Sequence, residues 1–402
     1  MSKALQHIQP SLIVPFLVIG CFAFVSFAEV EDWQERMHAA NRLDREGRYA
    51  DAQKLYFAAL DEAEKSGPAD PRLAESLNNL AAHYYHTGKY AEAEPLYRRA
   101  IETWKSSRGE TNRDLAITMN NLAALYRAQG RYSLAAPLYD SAMQILEKIS
   151  GPDSLDVAVS LNNLAELRRT EGRYEDARRL AGRAVEINNR AAGQESPELA
   201  NSLHTLAAIY RDTGRYDEAL SLLEQSLAIR EKKLGREHPL VAATLGNIAE
   251  IYSAQRRFPE AEDLAKRVLA IRESTFGFRH PNVAVSLNNL AQIARLQGRY
   301  MEAEPLYRSA LEIWEENLGP NHPDVAQGLG NLADFYHERG RETAAEQLYT
   351  RAIAILKNAL GTEHPVVVKL TRSLAKVYRA EGRSRKADQI ESWIKGASAS
   401  LN

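Results

Sequence analysis

The chain has 402 residues, 45% apolar and 26% charged, which excludes a disordered chain and a multi-span membrane protein and leaves either two or three ordinary domains or one extended array. Lys plus Arg number 51 against 53 Asp plus Glu, so no net field gathers nucleic acid or an anionic membrane, and no nucleic-acid partner is expected. One cysteine, Cys21, excludes a disulfide framework.

The first element is an apolar segment, SLIVPFLVIGCFAFVSFA at 11–28, preceded by Lys3 and followed by the acidic EVED. It reads as an export signal, with small residues at Ser26 and Ala28 where a signal peptidase reads and Glu29 as the mature start. The domain reading is therefore a signal peptide at 1–28, an array at 29–396 and a flexible tail at 397–402. Two alternatives stay open: an uncleaved anchor through residues 12–28, and lipidation of Cys21, since Val18-Ile19-Gly20-Cys21 resembles a lipobox. A periplasmic or secreted protein is expected, with the membrane a partner only through this segment if it is uncleaved or lipidated.

From residue 31 onward the chain repeats itself. Gly47, Gly88, Gly130, Gly172, Gly214, Gly298, Gly340 and Gly382 mark one position, with Arg256 standing in once, and after a first step of 41 every interval is 42. That spacing predicts nine copies. Each carries two apolar stripes of helical period, such as Leu77, Leu80, Ala81 and Tyr84 before the Gly turn and Ala93, Leu96, Tyr97 and Ala100 after it. Loops such as LGREHP and LGPNHP close the units, with Gly as helix stop and Pro where the next helix begins. Two positions are alanine in all nine copies, from Ala40 to Ala375 and from Ala52 to Ala387, and mark a close crossing of two antiparallel helices. The ends weaken as caps should: Arg36 and Ala39 replace inner apolar residues, and SRKADQIESWIKG is amphipathic.

The pattern Leu-x-x-Leu-Ala-x-x-Tyr, Gly-x-Tyr, Ala, Tyr, Ala resembles the tetratricopeptide repeat. The 42-residue unit, the Asn pairs, EAEPLYRRA at 92–100 and LGPNHPDVA at 318–326 resemble the kinesin light chain type, in a bacterial exported form. The resemblance implies an all-α fold, a right-handed superhelix of nine helix pairs whose first helices line a concave groove. A motor-adaptor role is not expected, because no coiled coil precedes the repeats.

SLNNLA recurs at 76–81, 160–165 and 286–291, and Asn costs a helix several tenths of a kcal/mol against Ala. With Leu77 at 0° and 100° per residue, Leu80, Ala81 and Tyr84 fall within about 60°, while Asn79 lands near 200°, away from its own core. The same construction turns Asn121, Asn163, Asn247, Asn289 and Asn331 outward. An amide there can bond both the C=O and the N–H of an extended segment, as the groove-lining Asn residues of kinesin-light-chain-like repeats resemble; bracing between repeats is the alternative. For the shoulder residues Asn78, Asn120, Asn162 and Asn288 bracing is the expected role. Arg127, Glu166, Arg169, Arg211, Glu250, Arg295 and Asp334 flank the amides and make a groove of mixed sign, suited to a charged ligand, or else a solvated face.

Catalytic and metal motifs do not survive the repeat frame. His238, His280, His322 and His364 recur a repeat apart, about 10 Å by helix-packing distance, too far to share an ion and suited to turn and helix-start duty. His83 and His86 form an H-x-x-H pair on an expected exposed face with no third ligand evident. Ser373 to Lys376 matches S-x-x-K, but only 26 residues follow, too few for the partner motifs. No catalysis, cofactor or metal is expected. The function read from the sequence is a protein-interaction scaffold for a protein or peptide partner; a structural assembly factor and an enzyme-associated regulatory subunit are the alternatives.

Overall fold

The computed structural model describes residues 32–399, so the segment 1–28, expected to be a signal peptide, lies outside the described residues. Eighteen helices in nine antiparallel pairs, and no strand, make up the described residues. The first helices of the pairs are α1 (Trp33–Arg45), α3 (Pro71–His86), α5 (Arg113–Ala128), α7 (Leu155–Thr170), α9 (Pro197–Asp212), α11 (Pro239–Ala254), α13 (Pro281–Leu296), α15 (Pro323–Glu338) and α17 (Pro365–Ala380). The second helices are α2 (Tyr49–Lys65), α4 (Tyr90–Arg108), α6 (Tyr132–Ser150), α8 (Tyr174–Ala191), α10 (Tyr216–Leu234), α12 (Phe258–Phe276), α14 (Tyr300–Leu318), α16 (Glu342–Leu360) and α18 (Ser384–Ala399). The last helix thus reaches three residues into the segment expected as a tail, and 400–402 lie outside the described residues. No described helix is long and apolar enough to cross a membrane.

Each first helix from α3 onward starts on a side chain that accepts a backbone N–H: Asp70, Asn112, Ser154 and Ser196 in the early copies, then the loop histidines. Nδ1 of His238, His280, His322 and His364 accepts from the N–H two residues on, at 3.1, 3.0, 3.0 and 3.2 Å. Helix-start duty is therefore what these histidines perform. Each first helix stops at the Gly turn, where Lys89 N–H reaches Tyr84 C=O at 2.8 Å and Gly88 N–H reaches Tyr85 C=O at 3.2 Å, the two bonds of a Schellman stop. Arg256 keeps both bonds in the left-handed conformation at φ 61°, where a side chain costs about 1–2 kcal/mol.

The alanines found in every copy are buried at the helix crossings, from Ala40 and Ala52 to Ala375 and Ala387. Between them a second-helix column of fully enclosed tyrosines, Tyr56, Tyr97, Tyr139, Tyr307 and Tyr349, is broken by Ala181, Leu223 and Ala265. The residue after the Gly has a task that the sequence reading missed. Arg131, Arg215, Arg257, Arg341 and Arg383 stack on Tyr126, Tyr210, Tyr252, Tyr336 and Tyr378, with guanidinium carbons 4.0–4.5 Å from the ring centres. Adjacent repeats are pinned by a recurring bond from a second helix to the next first helix: Trp104 Nε1 to Thr118 Oγ1 (3.1 Å), Asn188 Nδ2 to Ser202 Oγ (2.6 Å), Arg230 Nη1 to Thr244 Oγ1 (2.7 Å) and Arg272 Nη1 to Ser286 Oγ (2.9 Å).

The pair expected on an exposed face is split. His83 is 1% exposed, its Nδ1 lies 2.6 Å from Asp44 Oδ1, and Tyr49, Tyr56 and Tyr84 surround the ring. His83 stands at a phase that every later copy fills with a buried apolar side chain, from Leu125 and Leu167 to Phe335 and Val377, so the position belongs to the packing between repeats. No cluster of three or more potential metal ligands occurs among the described residues.

Candidate binding groove

All six outward asparagines are half-buried on the first helices, and four are already engaged. Asn79 Oδ1 accepts from Asn78 Nδ2 at 3.1 Å. The amides of Asn121, Asn247 and Asn331 donate back to the shoulder residue of the preceding repeat: Asn78 Oδ1 at 3.0 Å, His204 Nε2 at 2.8 Å and Asn288 Oδ1 at 2.9 Å. Asn163 and Asn289 make no side-chain hydrogen bond with any described residue. The shoulder amides of Asn120 and Asn162 donate to Ser160 and Ser202 of the following repeat at 3.1 and 2.8 Å. The ladder therefore combines bracing with open amides, and the open ones are Asn163 and Asn289.

His204 shows what the bracing demands. Its Nε2 accepts from Asn247, and burial, helped by the nearby Arg230 and Arg211 charges, pushes its pKa down to about 4. The unfolded chain then takes up this proton first, so the contribution of the neutral ring is present above about pH 6.5 and is lost as pH falls toward 4. Chemical unfolding near pH 7 and about pH 4.5 should show a smaller acid loss in His204→Gln than in the parent. An equal acid loss in both proteins would remove His204 from the account.

The flanking charges pair with one another. Arg169 meets Glu166 (2.9 Å) and Asp212; Arg211 meets Asp212 (3.0 Å) and Glu250 (2.6 Å). This alternating chain runs from α7 through α9 to α11 and cancels much of the mixed-sign field expected from the sequence. Arg295 pairs with Glu338, and Arg127 lies against Tyr139 with its Nε buried and without a partner. Asp334 accepts from Tyr349 Oη, and burial followed by this carboxylate pushes the phenol pKa up. Tyr56 Oη makes the corresponding bond to Asn41 Oδ1 at 2.7 Å, again across 15 residues.

That 15-residue relation is interrupted in the sixth repeat. Glu250 stands where Asp334 does, but Ala265 replaces the tyrosine, and Gly246 and Ser253 trim the shoulder positions held elsewhere by Asn or Arg. The result is a pocket of about 380 Å³ between α11 and α13, floored by Ala265 and Val268 of α12 and rimmed by Glu250, Asn289 and Gln292. Its volume falls at the low end of small-ligand pockets, roughly 300–1,000 Å³. Burial raises the Glu250 carboxyl pKa, against the pull of Arg211. The pocket brings together Glu250 and Asn289; the other groove residues expected from the sequence do not line it. Its signal in the sequence is Ala265 in a column otherwise rich in Tyr.

The family model described as tetratricopeptide repeat matches residues 38–106, 72–148, 114–190, 198–274, 282–358 and 324–391. No curated protein matches the chain. Among solved structures, a putative kinesin light chain with nearly identical TPR-like repeats from Podosopora anserina is 29% identical, covering 50% of this chain and 94% of that one, with a TM-score of 0.42. A Rap protein complexed with competence and sporulation factor is 16% identical over 92% of this chain and 98% of its own, with a TM-score of 0.58. Aspartyl phosphate phosphatase F from Bacillus subtilis is 15% identical, covering 93% and 95%, at a TM-score of 0.51. At these identities the last two share the fold.

Proposed function

The chain belongs to the tetratricopeptide repeat family, and from that premise we propose that it is a non-catalytic scaffold, exported from the cytoplasm, that holds an extended peptide or protein segment in its groove. The observation that carries this reading is the pocket beside Ala265. An apolar floor, an acceptor at Glu250 and a free amide at Asn289 converge where the seventh and eighth repeats place Tyr307 and Tyr349. A side chain of the partner fits that volume, with its backbone held by Asn289 and, three repeats away, by Asn163. The Rap protein of the same fold, complexed with its factor, supports ligand binding by such an array. Export rests on the apolar segment at 11–28.

The test recovers the protein from the extracytoplasmic fraction of its native host, reads its N-terminus, and identifies the retained partner by mass spectrometry. A start at Glu29 is expected; an intact Met1 in a soluble cytosolic pool refutes export. With the partner in hand, Asn163→Ala and Asn289→Ala should each weaken binding by on the order of 1 kcal/mol and leave the melting temperature unchanged or slightly raised, since Ala is the better helix former. Undiminished binding by the double variant takes the amides out of the site.

A further inference from the structure

The helix pairs are nearly of one length, so a constant rotation per repeat accumulates until the array meets itself. The turn of the first pair then lies against the loop that opens the seventh: a Cβ built on Gly47 would sit 2.8 Å from Cδ2 of His280. The contact repeats in register. A Cβ on Gly88 would fall 2.6 Å from Cδ2 of His322 and 2.7 Å from Cδ of Pro323, and one on Gly130 would fall 2.7 Å from Cδ2 of His364. Each pair is about five and a half repeats apart in sequence, so one superhelical layer rests end-on upon the next. The turn glycines of the remaining copies, such as Gly214 and Gly340, have nothing within 4 Å of the same built atom.

The histidines suit this second task because their first leaves one edge free. Nδ1 is committed to the helix cap, so the opposite edge of each ring faces the upper layer, where the carbonyls of Arg45, His86 and Ala128 lie close enough to favour protonation. Burial outweighs that effect and lowers the pKa of all three rings. At His280 and His322 the buried Nε2 stops short of hydrogen-bond geometry. Phe276 backs the His280 ring at 4.5 Å, nearly parallel, and holds it toward the Gly47 turn. Asp324 of the lower layer reaches far enough to help raise the pKa of Tyr49 in the upper one, after burial and Asp44. Two cavities of about 520 and 490 Å³ lie along the join, the first against Tyr49, His86 and His280 and the second against Gly88, Lys89 and His322. A join made of rings on glycine turns, with cavities between, is looser than the alanine crossings inside each repeat.

We propose that repeats seven to nine dock on repeats one to three through this histidine seam, closing the side of the groove into a channel. The seam stands independently of the binding reading. It restricts what the groove accepts to a segment with a free end, unless the seam opens to admit a loop.

The test places nitroxides on Lys89→Cys and Asn321→Cys, which line the same inter-layer cavity, in a Cys21→Ser background, and measures their separation by electron double resonance. A single short distance is expected. Gly88→Ala should shift it longer by roughly 10 Å or more, one helix-packing spacing. Gly340→Ala imposes the same left-handed strain, with φ 68° against 70°, but meets nothing, and should leave the distance in place. His322→Ser keeps a helix cap of the kind that Ser154 and Ser196 supply and should also lengthen the distance, whereas His238→Ser, whose ring meets no turn glycine, should not. A long, broad distribution in the parent, an unchanged distance in both Gly88→Ala and His322→Ser, or an equal shift in Gly340→Ala would overturn the seam.

Discussion

Ala265→Tyr is expected to weaken partner binding strongly while leaving the protein as stable as before, or more so by about 1 kcal/mol. The substitution restores the ring that Tyr97, Tyr139, Tyr307 and Tyr349 provide in other copies, and Glu250 stands where Asp334 accepts the Tyr349 hydroxyl. A phenol there would occupy the pocket of about 380 Å³ and use its acceptor. Affinity should fall at least tenfold, about 1.4 kcal/mol, measured by titration calorimetry with the captured partner. Full affinity in a stable variant would move the binding site elsewhere. A large loss of stability would mean that the pocket is not a vacated tyrosine slot.

The second large effect concerns the crossings. Ala207 is 1% exposed on α9 and packs with Ala219, Leu223, Ile248 and Ile251, so Ala207→Leu forces extra carbon atoms between two helices whose separation the alanines set. Urea unfolding should show a loss of roughly 1–3 kcal/mol, and hydrogen exchange should place it in the fifth and sixth repeats rather than throughout the chain. Indifference to the change would contradict the packing described here.

The sequence carries the period, the pairing and the helix boundaries because each follows from local chemistry repeated nine times. A left-handed turn calls for Gly, a tight crossing for Ala, and a helix start for a side-chain acceptor. The asparagines were half legible. Helical phase turns Asn121 and Asn163 the same way, but whether an amide is free depends on its neighbour one repeat back: Asn121 finds Asn78, while Asn163 finds nothing to hold. The flanks show the same limit, since Glu166 and Arg211 look available in sequence and are tied into one chain in space. His83 looks exposed as a polar side chain, yet its place in the frame is the one that Leu125, Leu167 and Ile209 bury in later copies. The meeting of His322 with Gly88 has no local signal at all; it arises from the rotation between successive units, summed over several.

The register of those meetings bears on how such a chain grows. Duplication adds whole units, and a contact between one turn and the loop about five and a half units further on is preserved by any insertion that keeps the unit length. A six-unit ancestor would have had turn glycines with nothing to touch. The seventh copy is the first to find a surface already made for it, and each later copy brings its own closing histidine as part of the helix start that it needs in any case. Lengthening such an array therefore adds only nearest-neighbour interfaces up to that threshold, and past it each new copy also acquires a second set of neighbours.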